Sequence, residues 1–450
     1  MTEILALLQT IAPFLEKTTL RQMSQVIFGM LAASGRITML GLSRWTEKGG
    51  SYRTLQRFYH TILSWPALHW LFFKESFLHA EDEYIAAGDE VVISKAGKET
   101  YGLDRFFAGL QQRVIPGLAI FTFSLVNVCE EQSYPLQATQ IVKSAEEKAA
   151  SQAKAEARKE KKSGEKKKPG RPKGSKNKDK QEVVLTPELL RIQKSLQSLL
   201  ETIKNQISQK YVTLDGHFGN DPSAFMVRQT GLHLISKLRS DAALYVPFEG
   251  EYEKRGPKPK YGAKVEVHAM HDKYLKETTI QDGLRTDIYQ GQFLNQEFAF
   301  ALNVSIILKT NLETAAQAHV ILFSTDLELS YEKIIKFYSL RFQIEFNFRD
   351  AKQYWGLEDF MNIKETAVTN AANLALFMVN FRFALAKPFR QRNPDFSMLD
   401  LKAHYRGYRY ATETIKMLPQ KPDGILLAEI FQQIARLGAI HPVFQPATSQ

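Results

Sequence analysis

The stretch Tyr338-Ser-Leu-Arg341-Phe-Gln-Ile-Glu345-Phe-Asn-Phe-Arg-Asp-Ala-Lys352 decides how the rest of the chain is read. On an α-helix of ~100° per residue with Tyr338 at zero, Arg341 falls near ~300°, Glu345 near ~340° and Lys352 near ~320°. Four polar residues thus share one stripe of about 60°. Phe337, Leu340, Ile344, Phe348 and Ala351 gather at roughly 200–280° and would face a core. A carboxylate flanked by a phenol, a guanidinium and an ammonium suits a metal ligand beside phosphate binders. A solvated helix face with ordinary ion pairs is the plainer alternative.

One carboxylate cannot do two-metal chemistry on a phosphodiester, which needs several acids to hold two cations about 3.5–4 Å apart. The best partners are acids on strands, where a rigid backbone fixes the carboxylate. Asp89 lies inside the apolar run Ile85–Ile93, and Asp215 ends the run Tyr211–Leu214 just before Gly216. An edge-strand charge and an Asp-Gly turn are the competing readings of these two residues.

Working outward, the chain has 450 residues with 44% hydrophobic content, enough for two to four domains and a large core. Its net charge of +11 favours a polyanionic partner, nucleic acid before membrane. A single cysteine, Cys129, excludes an internal disulfide framework and a cysteine-based zinc site and fits a reducing cytosol. Its apolar surroundings predict a buried small hydrophobe. The start, Met-Thr-Glu-Ile-Leu, has no basic region or cleavage pattern of a secretory signal. The apolar stretch 367–386 is interrupted by Asn373, Asn380 and Arg382, making it a poor membrane span and a good buried helix.

Residues 1–80 read as a helical module. Ser51 is a predicted N-cap for a helix that places Arg53, Gln56, Arg57 and His60 on one side, as a helix-turn-helix element would for DNA; plain packing is the alternative. Residues 81–145 turn to strands, a three-stranded antiparallel meander over 84–94, 118–128 and 134–142. The segment 146–181 is low in complexity, with 14 Lys or Arg against 6 Asp or Glu and no aliphatic larger than Ala. It cannot bury enough apolar surface to order itself. Its Gly170-Arg171-Pro172-Lys173 is similar to the core of an AT-hook, with non-specific phosphate attraction the equal alternative. Residues 182–247 resume an α/β pattern, with a helix, a short strand to Asp215, another helix and a strand pair at 232–238 and 243–246. Residues 248–317 read as a β-rich insertion. Residues 318–362 hold a strand and one long helix capped by Ser330, and 363–450 are helical.

The spacing Tyr, two residues, Arg, three, Glu, six, Lys resembles the YREK signature of the DDE transposases of bacterial insertion sequences that move by cut and paste. The order of an acid on a first strand, an acid after a short strand and a Glu on a late helix is similar to their RNase H-like layout, over nearly the whole chain. The resemblance implies an α/β fold: an RNase H-like mixed-sheet core with a β-rich insertion, a helical N-terminal DNA-binding module and a helical C-terminal region. It implies that Asp89, Asp215 and Glu345 bind two Mg²⁺ ions, with Mn²⁺ as a substitute, and that Tyr338, Arg341 and Lys352 bind phosphates. Lys95 and Lys98, in the loop after the first acid, and Arg53, Arg57, Arg171 and Lys173 are further DNA-binding candidates. The expected partners are double-stranded DNA, as terminal inverted repeats and target, and a second protomer on paired ends, in the bacterial cytoplasm at the nucleoid and without a membrane. The expected reaction is cleavage at transposon ends followed by strand transfer. An RNase H-like structure-specific nuclease and a non-catalytic DNA-binding derivative stay open.

Two departures stand out. Some relatives stack a flipped base on a Trp of the insertion, but the tryptophans here are residues 45, 65, 70 and 355. Tyr289, Phe293 and Phe298 are the available stand-ins. The basic tract at 146–181 has no counterpart in the family pattern. Lesser candidates are His217, two residues after Asp215, and the group His268, His271 and Asp272. Asp82 and Glu83 read as solvated, and Glu90 as facing away from Asp89.

Overall fold

The computed structural model describes residues 2–441 except 48, 151, 154–155, 157–182, 205 and 253–256. Arg171 and Lys173 therefore lie outside the described residues. Five helices open the chain: α1 (Thr2–Leu8), α2 (Lys17–Ala32), α3 (Met39–Ser43), α4 (Tyr52–His60) and α5 (Trp65–Phe77). The Ser51 hydroxyl accepts from Thr54 N, as an N-cap must. Leu55, Phe58 and Tyr59 of α4 are buried, so Arg53, Gln56, Arg57 and His60 are left on its exposed side.

A mixed twelve-stranded sheet follows: β1 (Tyr84–Ser94), β2 (Asp104–Ala108), β3 (Arg113–Asn127), β4 (Gln132–Ile141), β5 (Tyr211–Leu214), β6 (His233–Lys237), β7 (Leu244–Pro247), β8 (Tyr261–Lys264), β9 (Leu275–Gln281), β10 (Leu284–Asn295), β11 (Leu302–Asn311) and β12 (Gln317–Ser324). The order is β2-β3-β1-β5-β6-β12-β11-β10-β7-β8, with β4 on β3 and β9 on β10. The predicted meander is present with one more strand, β2, which pairs with the N-terminal end of β3. The predicted pairing of 232–238 with 243–246 is not formed: β6 joins β5 and β12, and β7 joins β8 and β10. Strands β10 and β11 continue the central sheet outward from β12.

β1 is buried on both faces, which is why its sequence is continuously apolar rather than alternating. On one face Ala86 joins a core formed with α6 (Pro187–Ile203) and α7 (Asp221–Arg228). On the other, Ile85 and Ala87 pack against Ile334, Phe337 and Leu340 of α8 (Tyr331–Leu340). Then come α9 (Gln343–Trp355), α10 (Glu365–Arg390), α11 (Met398–Met417) and α12 (Gly424–Ile434). α10 is long and apolar enough to cross a membrane by composition, but 78% of its apolar window is buried inside the protein, against the N-terminal helices and α9.

Cys129 is exposed, contrary to the sequence-based expectation. The apolar run ends at Val128, and Cys129 begins the turn to β4, its N–H donating to Asn127 Oδ1.

Candidate active site

Asp89 and Asp215 are brought together by strand register. β1 and β5 run parallel with Ala87 opposite Thr213 and Gly88 opposite Leu214. The next pair in that register is Asp89 and Asp215, on strands ~4.8 Å apart. Gly88 permits the approach: a Cβ there would lie 2.7 Å from the Leu214 side chain and 2.7 Å from Phe123. Asp215 ends its strand and caps the following turn, its Oδ1 accepting from His217 N at 3.2 Å. Its carbonyl is held by the Ser236 hydroxyl at 2.8 Å.

The third acid arrives on a helix with a joint in it. The sequence predicts one helix from Ser330 through Lys352, whereas the structure has two, α8 and α9, meeting at Arg341-Phe342. Around the joint the backbone bonds span three residues rather than four: Arg341 N to Tyr338 O, Phe342 N to Ser339 O, Ile344 N to Arg341 O and Glu345 N to Phe342 O. This is a 3₁₀ turn, tighter than the α-helix, and short 3₁₀ pieces inside a helix recur at functional hinges. Ser330 caps α8 as expected, its hydroxyl accepting from Lys333 N.

Across the joint Arg341 bridges two acids. Its Nη1 donates to Asp89 Oδ2 at 2.8 Å and its Nη2 to Glu345 Oε1 at 3.2 Å. The Arg341 side chain is only 14% exposed, so its charge is spent inside the protein. Its Nε is buried and has no hydrogen-bond partner among the described residues. Tyr338 lies beside it, with the guanidinium 5.9 Å from the ring centroid.

Burial pushes the Asp89 carboxyl up to about 6; Arg341 and the Glu90 N–H oppose that rise, while Asp215 and Glu345 add to it. All three acids therefore share one electrostatic neighbourhood. Glu90 points to the α6 side, where burial, then Glu188 and Asp89, push it up to about 7. His217 faces the same way, 3.9 Å from Glu188, and stays largely exposed.

Lys352 is also occupied. Its ammonium donates to Val92 O at 3.1 Å and pairs with Glu358 at 2.8 Å. Lys95 donates to the carbonyls of Glu358 and Phe360 at 3.0 and 2.8 Å and lies over the Phe360 ring. Burial brings its ammonium down to about 8. Lys98 is exposed on the loop after β1.

The structure thus gathers Asp89, Asp215, Tyr338, Arg341 and Glu345, while Lys352 reaches β1 at Val92 and Lys95 lies beyond its far end, beside Glu358 and Phe360. Tyr289, Phe293 and Phe298 are buried in the core and cannot offer a ring to a flipped base. His268 bonds Gln317 and stacks edge-on with His319, so it builds no metal cluster with His271 and Asp272. Among the described residues, no group of three or more Asp, Glu, His or Cys stands close enough to hold an ion as the side chains lie. The donor chemistry nevertheless fits a hard divalent cation: three carboxylates, no sulfur, and a guanidinium sitting between two of them as a stand-in positive charge.

Parallel β1 and β5 at the centre of a mixed sheet, with α8 and α9 packed across it, make an RNase H-like domain. The DDE superfamily endonuclease family matches residues 10–289, more than half of the chain, and the chain belongs to that family. The match takes in Asp89 and Asp215 and ends before Glu345, whose place rests on the geometry above. Among curated proteins none matches.

Proposed function

We propose that this protein is a transposase of the YREK type, from an insertion sequence, that cleaves DNA at transposon ends and joins the freed 3′ end to target DNA. The observation carrying this reading is the convergence of Asp89, Asp215 and Glu345 around Arg341. Asp89, Asp215 and Glu345 would hold two Mg²⁺ ions, which activate the attacking oxygen and stabilise the leaving one when bound. Mn²⁺ has the same preference for oxygen donors.

The protein's own groups have defined tasks. Arg341 neutralises Asp89 and Glu345 until cations arrive, and its Nη1 and Nη2, once released from those acids, would be donors for phosphate oxygens. Tyr338 beside Arg341 offers a hydroxyl donor, and Lys352, two turns beyond Glu345 on α9, a point charge. The 3₁₀ joint lets α9 shift relative to α8, so Glu345 and Arg341 can separate without unfolding either helix. Arg53 and Arg57 on the exposed face of α4 suit duplex recognition, Lys95 and Lys98 lie along the approach to β1, and two protomers would pair two ends.

The test is a cleavage and joining assay on a duplex carrying the inverted repeats that flank the coding region, with Mg²⁺, against Glu345→Gln. Metal-dependent nicking at the ends, followed by joining and lost in the variant, is expected. Nicking without joining or end preference would replace this reading with a structure-specific nuclease. Binding without nicking would replace it with a non-catalytic DNA-binding protein.

A further inference from the structure

Four residues beyond Glu345, the charge balance of α9 reverses. Arg349 reaches Asp350 Oδ1 with Nη2 at 3.3 Å and Nε at 3.4 Å. Arg382 of α10 grips the other oxygen, Oδ2, and its own Nε is buried with no hydrogen-bond partner among the described residues. Burial brings the Arg382 guanidinium down to about 10; Asp350 opposes that fall, while Arg390 and Arg349 add to it. Two guanidiniums thus share one buried carboxylate, and a third, Arg390, whose Nε donates to Phe396 O at 3.1 Å, lies near enough to act on Arg382. From Arg390 the positive surface continues into an open groove of about 410 Å³, where Lys387, Arg390 and His79 face Glu130 as the acid, itself accepting from the Tyr134 hydroxyl at 3.2 Å. The Arg382 guanidinium lies 3.8 Å from the Phe383 ring centroid, and Phe383 lines the groove.

An excess of guanidinium that no protein carboxylate balances is costly to keep together unless an anion offsets it. Arg349 is 60% exposed and so open to such an anion. It stands four residues from Glu345, ~6 Å along the helix axis, about the distance between neighbouring phosphates of one strand. A strand with one phosphate at Glu345 therefore places a neighbouring phosphate at Arg349. We infer that Arg349, Arg382, Arg390 and Lys387 form a second phosphate-binding track, which holds the DNA duplex as it leaves the active site toward the α5 and α10 ends. The inference rests on the proposed DNA-cleaving role and specifies the path of its substrate.

The experiment measures binding of a short labelled duplex by fluorescence anisotropy as NaCl is raised, with Glu345→Gln as the parent so that cleavage does not intervene. Adding Arg349→Gln and Lys387→Gln, both exposed changes, is expected to lower the slope of log affinity against log salt by about 1.8, ~0.9 for each lost phosphate contact. Removing two charges instead at Lys276 and Lys309, on strands β9 and β11, is expected to leave the slope unchanged. Arg349→Lys with Lys387→Arg is expected to restore most of it. An unchanged slope in the first variant, with an unchanged melting temperature, overturns the track, as does an equal loss from the strand lysines. If native protein cuts DNA and the slope still does not move, only the track fails. If the parent binds no duplex, both the track and the proposed function fail.

Discussion

Helix α9 carries two charge clusters of opposite composition within about two turns. At its N-terminal end three acids, Asp89, Asp215 and Glu345, share one internal cation, Arg341. One turn on, two guanidiniums, Arg349 and Arg382, share one internal anion, Asp350, with Arg390 a further cation near Arg382. In both places the protein supplies a single counter-charge, too little to balance the cluster but enough to let the chain fold around it. On the proposed function the first arrangement would take cations and the second anions. A two-metal phosphoryl-transfer site needs both, side by side, because the same phosphate that bridges the metals belongs to a strand that must be held.

The sharpest way to break the comparison is to remove charge from each cluster in turn. Glu345→Gln keeps shape and hydrogen-bonding capacity while deleting a carboxylate. Cleavage is expected to fall by on the order of 10³ or more, with duplex affinity kept or raised because a negative charge has gone. A retained cleavage rate would put the chemistry elsewhere. Asp350→Ala attacks the other cluster. The Asp350 side chain is only 5% exposed, and losing it strands Arg382 without its anion. Stability is expected to drop by about 3–5 kcal/mol in urea unfolding. Phosphate or duplex DNA is expected to recover part of that loss, since an external anion would replace the missing one.

Another cation extends the contrast, because it forms no carboxylate ion pair among the described residues. Lys402 of α11 donates to Met30 O and Tyr354 O, in the last turns of α2 and α9, where helix dipoles favour a positive charge. Burial brings its ammonium down to about 8. The unfolded chain therefore binds more protons than the native state between pH 8 and the ordinary lysine value. Native stability is expected to rise as pH increases through that window, by up to about 3 kcal/mol. Thermal melts from pH 7 to 10 check this, and Lys402→Met should flatten the rise.

The setting of each proposed acid was legible because each sits on an element that its own neighbours announce. The unbroken apolar run of β1 announces a strand buried on both faces, and a charged residue inside it demands a reason. The caps at Ser51 and Ser330 read correctly from residue type alone. The joint at Arg341-Phe342 was not legible, because residues there keep right-handed helical dihedrals and the periodicity drifts by only a few tens of degrees. The partners of β6 and β7 come from strands far along the chain, so adjacency in sequence suggested the wrong pairing. The basic cluster was missed for the same reason: Arg349 and Arg382 meet at Asp350 only through the packing of α9 on α10. Its one visible trace was Arg382, a charge interrupting an apolar stretch, which reads as a flaw in a membrane span until Asp350 is placed beside it.

The smallest effect separates the two clusters most cleanly. Arg341 competes with any cation that approaches Asp89 and Glu345, so Arg341→Gln should let Mn²⁺ bind about tenfold more tightly, a change of ~1.4 kcal/mol, in calorimetric titration at pH 8 without DNA. The same substitution removes a donor for phosphate and should weaken duplex binding in the presence of metal. Opposite signs for the two ligands follow from one guanidinium serving both, and by linkage metal should raise the affinity of the native protein for DNA as much as DNA raises it for metal. Arg349→Gln, one cluster away, should weaken DNA alone and leave the Mn²⁺ titration unmoved. If it shifted the metal affinity as strongly as Arg341→Gln, the two clusters would be a single electrostatic site, and the division of α9 into a cation end and an anion end would be lost.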